Sequence, residues 1–228
     1  MKKKTPTSGT RTLAVKLKTA RGRKISSQLW LMRQLNDPYV QKAQALGYRS
    51  RAAFKLIEMD EKYGLLGPGK HVVDLGAAPG GWVQVAVEKT GSLPGQEIVI
   101  GIDLKPIDPI PGSILIEGDF LHPEMPDKLK ALLKGPVDLV LSDMAASSSG
   151  HAPTDHLRIM MLAEVAFDFA KEVLKPGGSY VAKVLQGGAE GDLLRELKQK
   201  FTKVVHSKPP ASRPDSAEMY VVAIGFKK

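Results

Sequence analysis

The 228-residue sequence contains no cysteine, which excludes disulfide bonds and thiolate metal sites. Its five histidines show neither H-E-x-x-H nor a similar ligand spacing, and we expect no metal ion. No apolar run approaches the roughly 18 to 20 residues that a membrane-spanning helix needs. The basic N-terminal segment is not followed by an apolar stretch, so we expect no signal peptide, no membrane partner and a cytoplasmic location.

Acidic side chains are absent from the first 36 positions, whereas residues 1–24 hold nine lysines and arginines. The whole net charge of +9 therefore resides in that segment. We predict that residues 1–26 form a disordered basic arm that binds RNA, and that residues 27–228 form the folded domain. A solubilising tail is an alternative interpretation. An organelle transit peptide is another, although three consecutive lysines at the start fit it poorly.

The folded part alternates strand and helix patterns, which predicts an α/β fold with a mainly parallel seven-stranded sheet covered by helices on both faces. The predicted strands are His71–Gly76, Glu97–Asp103, Ser113–Asp119, Val137–Asp143, Ser179–Leu185, Lys203–Ser207 and Met219–Gly225. The predicted helices are Asp37–Leu46 with proline at its first turn, Arg51–Tyr63 capped by Ser50, Gly81–Lys89, Pro126–Leu133, Asp155–Leu174 and Glu190–Phe201. No helix separates the last two strands, which predicts an antiparallel edge strand.

The segment from Val72 to Trp82 reads VVDLGAAPGGW, an apolar strand followed by a glycine turn and a helix start. Such a turn presents the first loop of a Rossmann-like sheet to a nucleoside cofactor. The glycines lack the G-x-G-x-x-G spacing that seats a pyrophosphate, and Asp74 in the turn region would repel a phosphate. The turn therefore suits S-adenosylmethionine better than NAD(P), although a glycine-rich turn can also merely pack an α/β core.

Several charged side chains stand at strand ends, where an open α/β sheet binds its ligands. Asp103 ends the second predicted strand and is placed to bind ribose hydroxyls, and Asp119 ends the third and is placed to meet the adenine amino group. Lys183 lies inside an apolar strand, where burial of a cation requires a partner. Lys55 and Glu218, taken alone, are ordinary surface charges.

These motifs resemble those of the FtsJ/RrmJ family of ribose 2′-O-methyltransferases, and the resemblance covers roughly Ser27 to Lys228. It rests on SRAAFKL, VVDLGAAPGGW, GDF, LSDM, LKPGG, KVLQG and the terminal S-x-E-x-Y. The resemblance implies a methyltransferase domain with a catalytic tetrad of Lys55, Asp143, Lys183 and Glu218. It also implies contacts to S-adenosylmethionine from Gly76, Ala77, Pro79, Gly80, Gly81, Trp82, Asp103, Asp119 and Asp143.

The resemblance further implies methylation of a uridine ribose in large-subunit (23S) ribosomal RNA, and the sequence leaves open whether free RNA or a ribosomal particle is the substrate. No heptad pattern suggests obligate association, so we expect a monomer. Two segments depart from the family pattern. Residues 145–150 read AASSSG where Ala-Pro-Asn is usual, and residues 213–216 read RPDS, which is less basic than usual. Alternatives are a transfer RNA ribose methyltransferase, a non-catalytic RNA-binding assembly factor and, least favoured, an NAD(P)-dependent oxidoreductase.

The implied chemistry is in-line attack of a ribose hydroxyl on a sulfonium methyl group. Because the hydroxyl is a poor nucleophile, it needs a base or an orienting group, and Lys183 is the candidate for either role. Desolvation and the neighbouring Lys55 would lower the pKa of Lys183, whereas Asp143 and Glu218 would oppose that change. The sequence leaves the balance open.

Overall fold

The computed structural model describes residues 24–146, 149–186 and 191–228. Its seven strands form one sheet in the order β3-β2-β1-β4-β5-β7-β6. They are β1 (Val72–Leu75), β2 (Val99–Asp103), β3 (Ser113–Glu117), β4 (Val137–Ser142), β5 (Leu174–Leu185), β6 (Phe201–Ser207) and β7 (Glu218–Phe226). Strands β1 to β5 run parallel, while β7 pairs antiparallel with both β5 and β6. The predicted sheet and its antiparallel pairing at the edge are confirmed.

Helices cover both faces of the sheet, as the strand–helix alternation predicts. They are α1 (Ile25–Leu35), α2 (Pro38–Leu46), α3 (Ala52–Tyr63), α4 (Gly81–Thr90), α5 (Met125–Leu132), α6 (Ala152–Val173) and α7 (Gly191–Lys200). One core cluster packs α5, α6 and α7 against the sheet, and a second packs α3 and α4 against the other face. Among the described residues, no helix is long and apolar enough to cross a bilayer.

The start of α2 follows the sequence prediction. The Asp37 carboxylate accepts a hydrogen bond from Tyr39 N at 3.0 Å, Pro38 occupies the first turn, and Gly47 ends the helix in the left-handed conformation. The predicted cap of the next helix is wrong. Helix α3 begins at Ala52, and its terminus has no side-chain cap. The Ser50 hydroxyl is buried against α4 instead, where a Cβ on Gly81 would lie 2.6 Å from its Oγ.

Two further differences concern the predicted arm and the position of Asp74. Nearly all of the arm lies outside the described residues, and α1 already begins at Ile25, inside its predicted range. The expectation that Asp74 sits in the turn is wrong, because Asp74 is a fully buried residue of β1. Since β1 is the central parallel strand, its carboxyl end leads directly into the Gly76 turn at the edge where ligands of such sheets bind.

Candidate active site

The register of β4 and β5 brings Asp143 and Lys183 together. Ser142 pairs with Ala182 across these parallel strands, so the next residue of each continues at the same level. Lys183 Nζ lies 2.7 Å from Asp143 Oδ1 and also donates a hydrogen bond to the Asp143 carbonyl oxygen at 3.0 Å. A lysine inside an apolar strand thereby obtains the partner that its burial requires.

The antiparallel register of β7 adds a carboxylate and a phenol on the same face. Tyr220 lies directly opposite Lys183, and Glu218 lies two residues before it, opposite Leu185. Alternate residues of a strand share a face, so Glu218 and Tyr220 both point toward Lys183. Glu218 Oε2 is 3.8 Å from Lys183 Nζ, and the Tyr220 hydroxyl donates to Asp143 Oδ1 at 2.8 Å.

Helix α3 supplies the second lysine from above this face of the sheet. Lys55 is 8% exposed, on the helical turn that also carries the core residues Leu56 and Met59. Its Nζ lies 2.6 Å from Glu218 Oε1 and donates to the Tyr220 hydroxyl at 3.2 Å. The structure therefore brings the four predicted tetrad residues into one contiguous network, although they are up to 163 positions apart in the sequence.

Tyr220 is the member of this network that the sequence reasoning missed. Its side chain is fully buried, and its ring packs on Trp82 with the ring centroids 5.6 Å apart. In the sequence it reads as one more core position of an alternating strand, and only its place in the S-x-E-x-Y motif, two residues after Glu218, signals its position. Burial raises the pKa of Tyr220 well above its ordinary value, and the carboxylates of Asp143 and Glu218 raise it further. Tyr220 therefore remains a neutral hydrogen-bonding bridge.

The surroundings of Lys183 stabilise its charged form rather than the neutral amine that a base requires. Desolvation by burial lowers the pKa of Lys183, but the Asp143 and Glu218 carboxylates together outweigh it, so that the pKa lies above its ordinary value. Lys183 is consequently an ammonium ion at neutral pH. Of the two candidate roles, this charge state favours that of an orienting cation.

A cavity of about 350 Å³ opens beside the network, at the carboxyl ends of β1, β2, β3 and β4. Asp103, Asp119 and Gly76 line it together with Met144, which follows the tetrad aspartate. Its apolar walls come from Ile102, Leu104, Phe120, Leu121 and Met161. A Cβ on Gly76 would lie 2.7 Å from Met144 N, and the φ of +83° is a left-handed value. Only glycine therefore fits this turn.

The carboxylates of the cavity are held by backbone amides of the surrounding loops. Asp103 Oδ2 accepts from Ala78 N and its Oδ1 from Lys105 N, both at 2.9 Å. Asp119 Oδ1 accepts from Leu121 N at 2.9 Å. Fixed acceptors in an apolar cavity of this size fit a nucleoside whose hydroxyls and amino group donate hydrogen bonds. The residues present therefore fit a nucleoside methyl donor.

The other predicted cofactor residues are placed around the turn but not in the cavity wall. Ala77, Gly80, Gly81 and Trp82 are buried, and Trp82 Nε1 donates to Ala52 O at 2.7 Å within the core between α3 and α4. Pro79 is exposed. The sequence left Trp82 open between a wall of the site and a core residue, and the structure places its side chain in the core.

Asp74 lies beneath this turn as an unusual buried acid. Neither carboxylate oxygen accepts a hydrogen bond from any residue that the structure describes. Burial raises the pKa of Asp74 well above its ordinary value, and the nearby charges of Asp143 and Asp103 add to the shift. Asp74 is therefore a buried acid whose charged form is disfavoured by burial and by its two acidic neighbours.

A second depression of about 390 Å³, the basic groove, lies on the other side of the network. The charged side chains that line it are Arg33, Arg51, Lys55, Arg213, Asp215 and Glu218. Lys55 and Glu218 thus belong both to the tetrad and to the floor of the groove. Within the described part of the chain, no group of three or more histidine and carboxylate side chains is arranged to hold a metal ion.

Comparison with known proteins relates this geometry to one family. The sequence pattern of the FtsJ-like methyltransferases matches residues 48–226. A ribosomal RNA large subunit methyltransferase E of Paramagnetospirillum magneticum is 62% identical over 224 residues, covering 97% of this chain and 92% of that protein. The protein of the same name from Ruegeria pomeroyi is 58% identical over 232 residues, covering 100% of both chains.

A solved structure supports the same relationship at the level of the fold. A Plasmodium falciparum protein described as a ribosomal RNA methyltransferase superposes with a TM-score of 0.68 and 36% identity. The superposition covers 78% of this chain and 98% of that one.

Proposed function

Because the chain belongs to the FtsJ-like methyltransferase family, we propose that it transfers a methyl group from S-adenosylmethionine to a ribose 2′-hydroxyl of large-subunit ribosomal RNA. The observation that carries this proposal is the position of the tetrad. It lies between a largely apolar, carboxylate-bearing cavity and a groove lined mainly by cations. A nucleoside methyl donor suits the cavity, a polyanionic acceptor suits the groove, and the two reacting groups would meet at Lys183.

Asp103, Asp119 and the Gly76 turn would hold the cofactor, which supplies an electrophilic methyl group when bound. The apolar walls of the cavity exclude water from the sugar and the base.

Lys183 would orient the acceptor hydroxyl and stabilise the negative charge that develops on its oxygen. Asp143 fixes the Lys183 ammonium at 2.7 Å, and Glu218 fixes Lys55 at 2.6 Å. Tyr220 couples these two ion pairs through its hydroxyl. Alignment of donor and acceptor supplies a large share of catalysis in such a transfer. The hydroxyl proton then passes to a carboxylate of the network or to water.

The choice of ribosomal RNA over transfer RNA rests on the high identity to proteins named for the large subunit. The basic segment before α1 would add affinity for phosphates without reading sequence. Deletion of residues 1–24 should weaken RNA binding and flatten its salt dependence while cofactor binding is retained. Equal salt slopes for the full and the shortened chain would contradict this role.

The proposed function is tested by transfer of labelled methyl groups from S-adenosylmethionine. Transfer RNA, free large-subunit ribosomal RNA and large subunits lacking the modification are offered separately. We expect label in large-subunit RNA and none with Lys183→Ala. Label on transfer RNA alone would support the transfer RNA alternative. Absence of label on all three, from protein that binds the cofactor, would favour the non-catalytic assembly factor.

A further inference from the structure

We propose that the C-terminal end of α1 is part of the RNA-binding site, with Arg33 binding a phosphate and Gln34 binding a base edge of the acceptor strand. The inference rests on the proposed function and adds to it two residues outside the segment that the family pattern matches, which begins at residue 48. Both residues line the basic groove whose floor carries Lys55 and Glu218.

Arg33 is the least constrained arginine of the groove. Its nearest carboxylate is Asp215, at 4.0 Å, and the two side chains are 61% and 72% exposed. An exposed pair at this distance contributes little, because both ions remain solvated. The Arg33 guanidinium can therefore exchange Asp215 for an RNA phosphate, which it binds through two parallel hydrogen bonds.

Arg51 and Arg213 are held in place in a way that Arg33 is not. Both lie beside the Asp37 carboxylate, with Arg51 Nε at 3.1 Å and Arg213 Nε at 3.6 Å from its Oδ2. Arg51 also donates to Ala211 O at 2.6 Å. These two arginines share the buried Asp37 carboxylate and make the groove cationic. Arg33 does not contact Asp37 and enters the groove from α1.

Gln34 adds an uncharged carboxamide to a groove that is otherwise lined mainly by charged side chains. The residue is half-buried, and its carboxamide makes no hydrogen bond to any described residue. A carboxamide presents one acceptor and two donors, and this combination matches the hydrogen-bonding edge of an unstacked base. Proteins recognise sequence in single-stranded RNA mainly through such edges.

The position of α1 in the chain supports a nucleic-acid ligand. The helix begins at Ile25, immediately after the segment that holds nine lysines and arginines. At 1.5 Å per residue, Arg33 lies about 12 Å along the helix from that end. An RNA strand in the groove therefore lies within reach of the attachment point of the basic segment.

The test uses the full chain and an unmodified transcript of large-subunit ribosomal RNA, with the dissociation constant measured as a function of salt. Arg33→Ala should weaken binding about 10-fold at low salt, the loss of one charge-assisted contact. It should also reduce the slope against log salt by about 0.7 to 0.9. Arg195→Ala is the matched control, because Arg195 is another exposed arginine paired with an aspartate, Asp192, but on α7.

Gln34→Ala should weaken binding about fivefold, the loss of a neutral hydrogen bond, and leave the salt slope unchanged. Gln199→Ala on α7 is its control. Equal affinities of Arg33→Ala and Arg195→Ala for the transcript would overturn the assignment of Arg33. Equal affinities of Gln34→Ala and Gln199→Ala would overturn the assignment of Gln34. Slower methylation of large subunits by Arg33→Ala, with unchanged binding of the transcript, would also overturn the proposal, since α1 would then contact protein.

This binding measurement separates the inference from the proposed function. Methyl transfer by Lys183→Ala tests the proposed function alone, because Lys183 does not line the basic groove. If the wild-type chain transfers no methyl group, the proposed function fails, and the binding of the four variants still decides whether α1 contacts RNA.

Discussion

The Tyr220 hydroxyl donates a hydrogen bond to Asp143 at 2.8 Å and accepts one from Lys55 at 3.2 Å. This single group connects the Lys183–Asp143 ion pair of the sheet to the Lys55–Glu218 ion pair beneath α3. Because removal of one member of a buried network leaves its partners unsatisfied, the two lysines depend on this phenol for their positions.

Tyr220→Phe should therefore lower the turnover number about 10-fold while the affinity for the cofactor changes little, since Tyr220 does not line the cavity. Single-turnover kinetics and equilibrium binding of the cofactor separate the two quantities. Tyr180→Phe is the control, because Tyr180 is also fully buried and its hydroxyl donates to Ala163 O at 2.6 Å, away from the tetrad. A similar loss of turnover in both variants would indicate a general packing effect.

The charge state of Lys183 predicts a specific pH profile. Its pKa is raised, because the Asp143 and Glu218 carboxylates outweigh desolvation. The ammonium form is therefore constant across neutral pH, and the single-turnover rate should be flat between about pH 7 and 9. A rate that rises about tenfold per pH unit over this range would show instead that Lys183 acts as a free base.

Gly76→Ala should damage both the fold and the cofactor cavity. A Cβ at this position would lie 2.7 Å from Met144 N, on a residue with φ of +83°. Gly91→Ala is a matched control, because Gly91 has φ of +69° but nothing within 4 Å of the added atom. The free energy of unfolding of this control should fall only by the roughly 1–2 kcal/mol that an alanine costs in the left-handed conformation. Thermal unfolding and cofactor titration should show a larger loss for Gly76→Ala in both measurements.

Asp74→Asn should stabilise the protein, and more so at higher pH. Burial, with Asp143 and Asp103, raises the pKa of Asp74 above the ordinary 3.8. The proton on Asp74 therefore contributes fully to stability below the pKa that Asp74 has in the unfolded chain. This contribution is lost as the pH rises through the pKa of Asp74 in the folded chain. We expect a melting temperature at least about 3 °C higher at pH 8 and a smaller gain at pH 5.

The control for this variant is Asp138→Asn. Asp138 accepts from His71 N at 3.0 Å and pairs with Lys175 at 2.5 Å. Loss of a partnered carboxylate should lower the melting temperature at both pH values. If Asp74→Asn also lowers it at pH 8, the Asp74 carboxylate is not the destabilising group that its burial indicates.

The sequence predicted those parts of the fold that local patterns encode. Periodicity, glycine turns and strand-end acids located six of the seven strands to within two residues at each end, and Pro38 and Gly47 set both ends of α2. The exception is β5, which begins at Leu174, five residues before its predicted start. It did not predict that β7 lies between β5 and β6, because the choice of pairing partner depends on contacts distant in the chain. Ser50 shows the limit of a local rule. A serine before a helix favours a cap, but close packing on Gly81 placed its hydroxyl elsewhere.

The residues of the site also divide into those that the sequence indicated and those that only tertiary packing brings together. The family resemblance nominated Lys55, Asp143, Lys183 and Glu218, and the geometry now places them within one network of ion pairs. Periodicity could not have grouped them, since each came from a different element and two of them read as surface charges. Asp37 likewise read only as a helix cap, and its second role beside Arg51 and Arg213 arises from tertiary packing.

If the tetrad directs methylation of a ribose hydroxyl, the transferred methyl group resides on a 2′-oxygen of the RNA. Large subunits lacking the modification are incubated with labelled S-adenosylmethionine and wild type, Lys183→Ala or Lys175→Ala, the last being another paired lysine of β5. Alkaline hydrolysis cleaves RNA except after a 2′-O-methylated ribose. We expect label in alkali-resistant dinucleotides with wild type and Lys175→Ala and none with Lys183→Ala. Label in mononucleotides would place the methyl group elsewhere than on the ribose, and equal label with Lys183→Ala would show that Lys183 is not needed for the transfer.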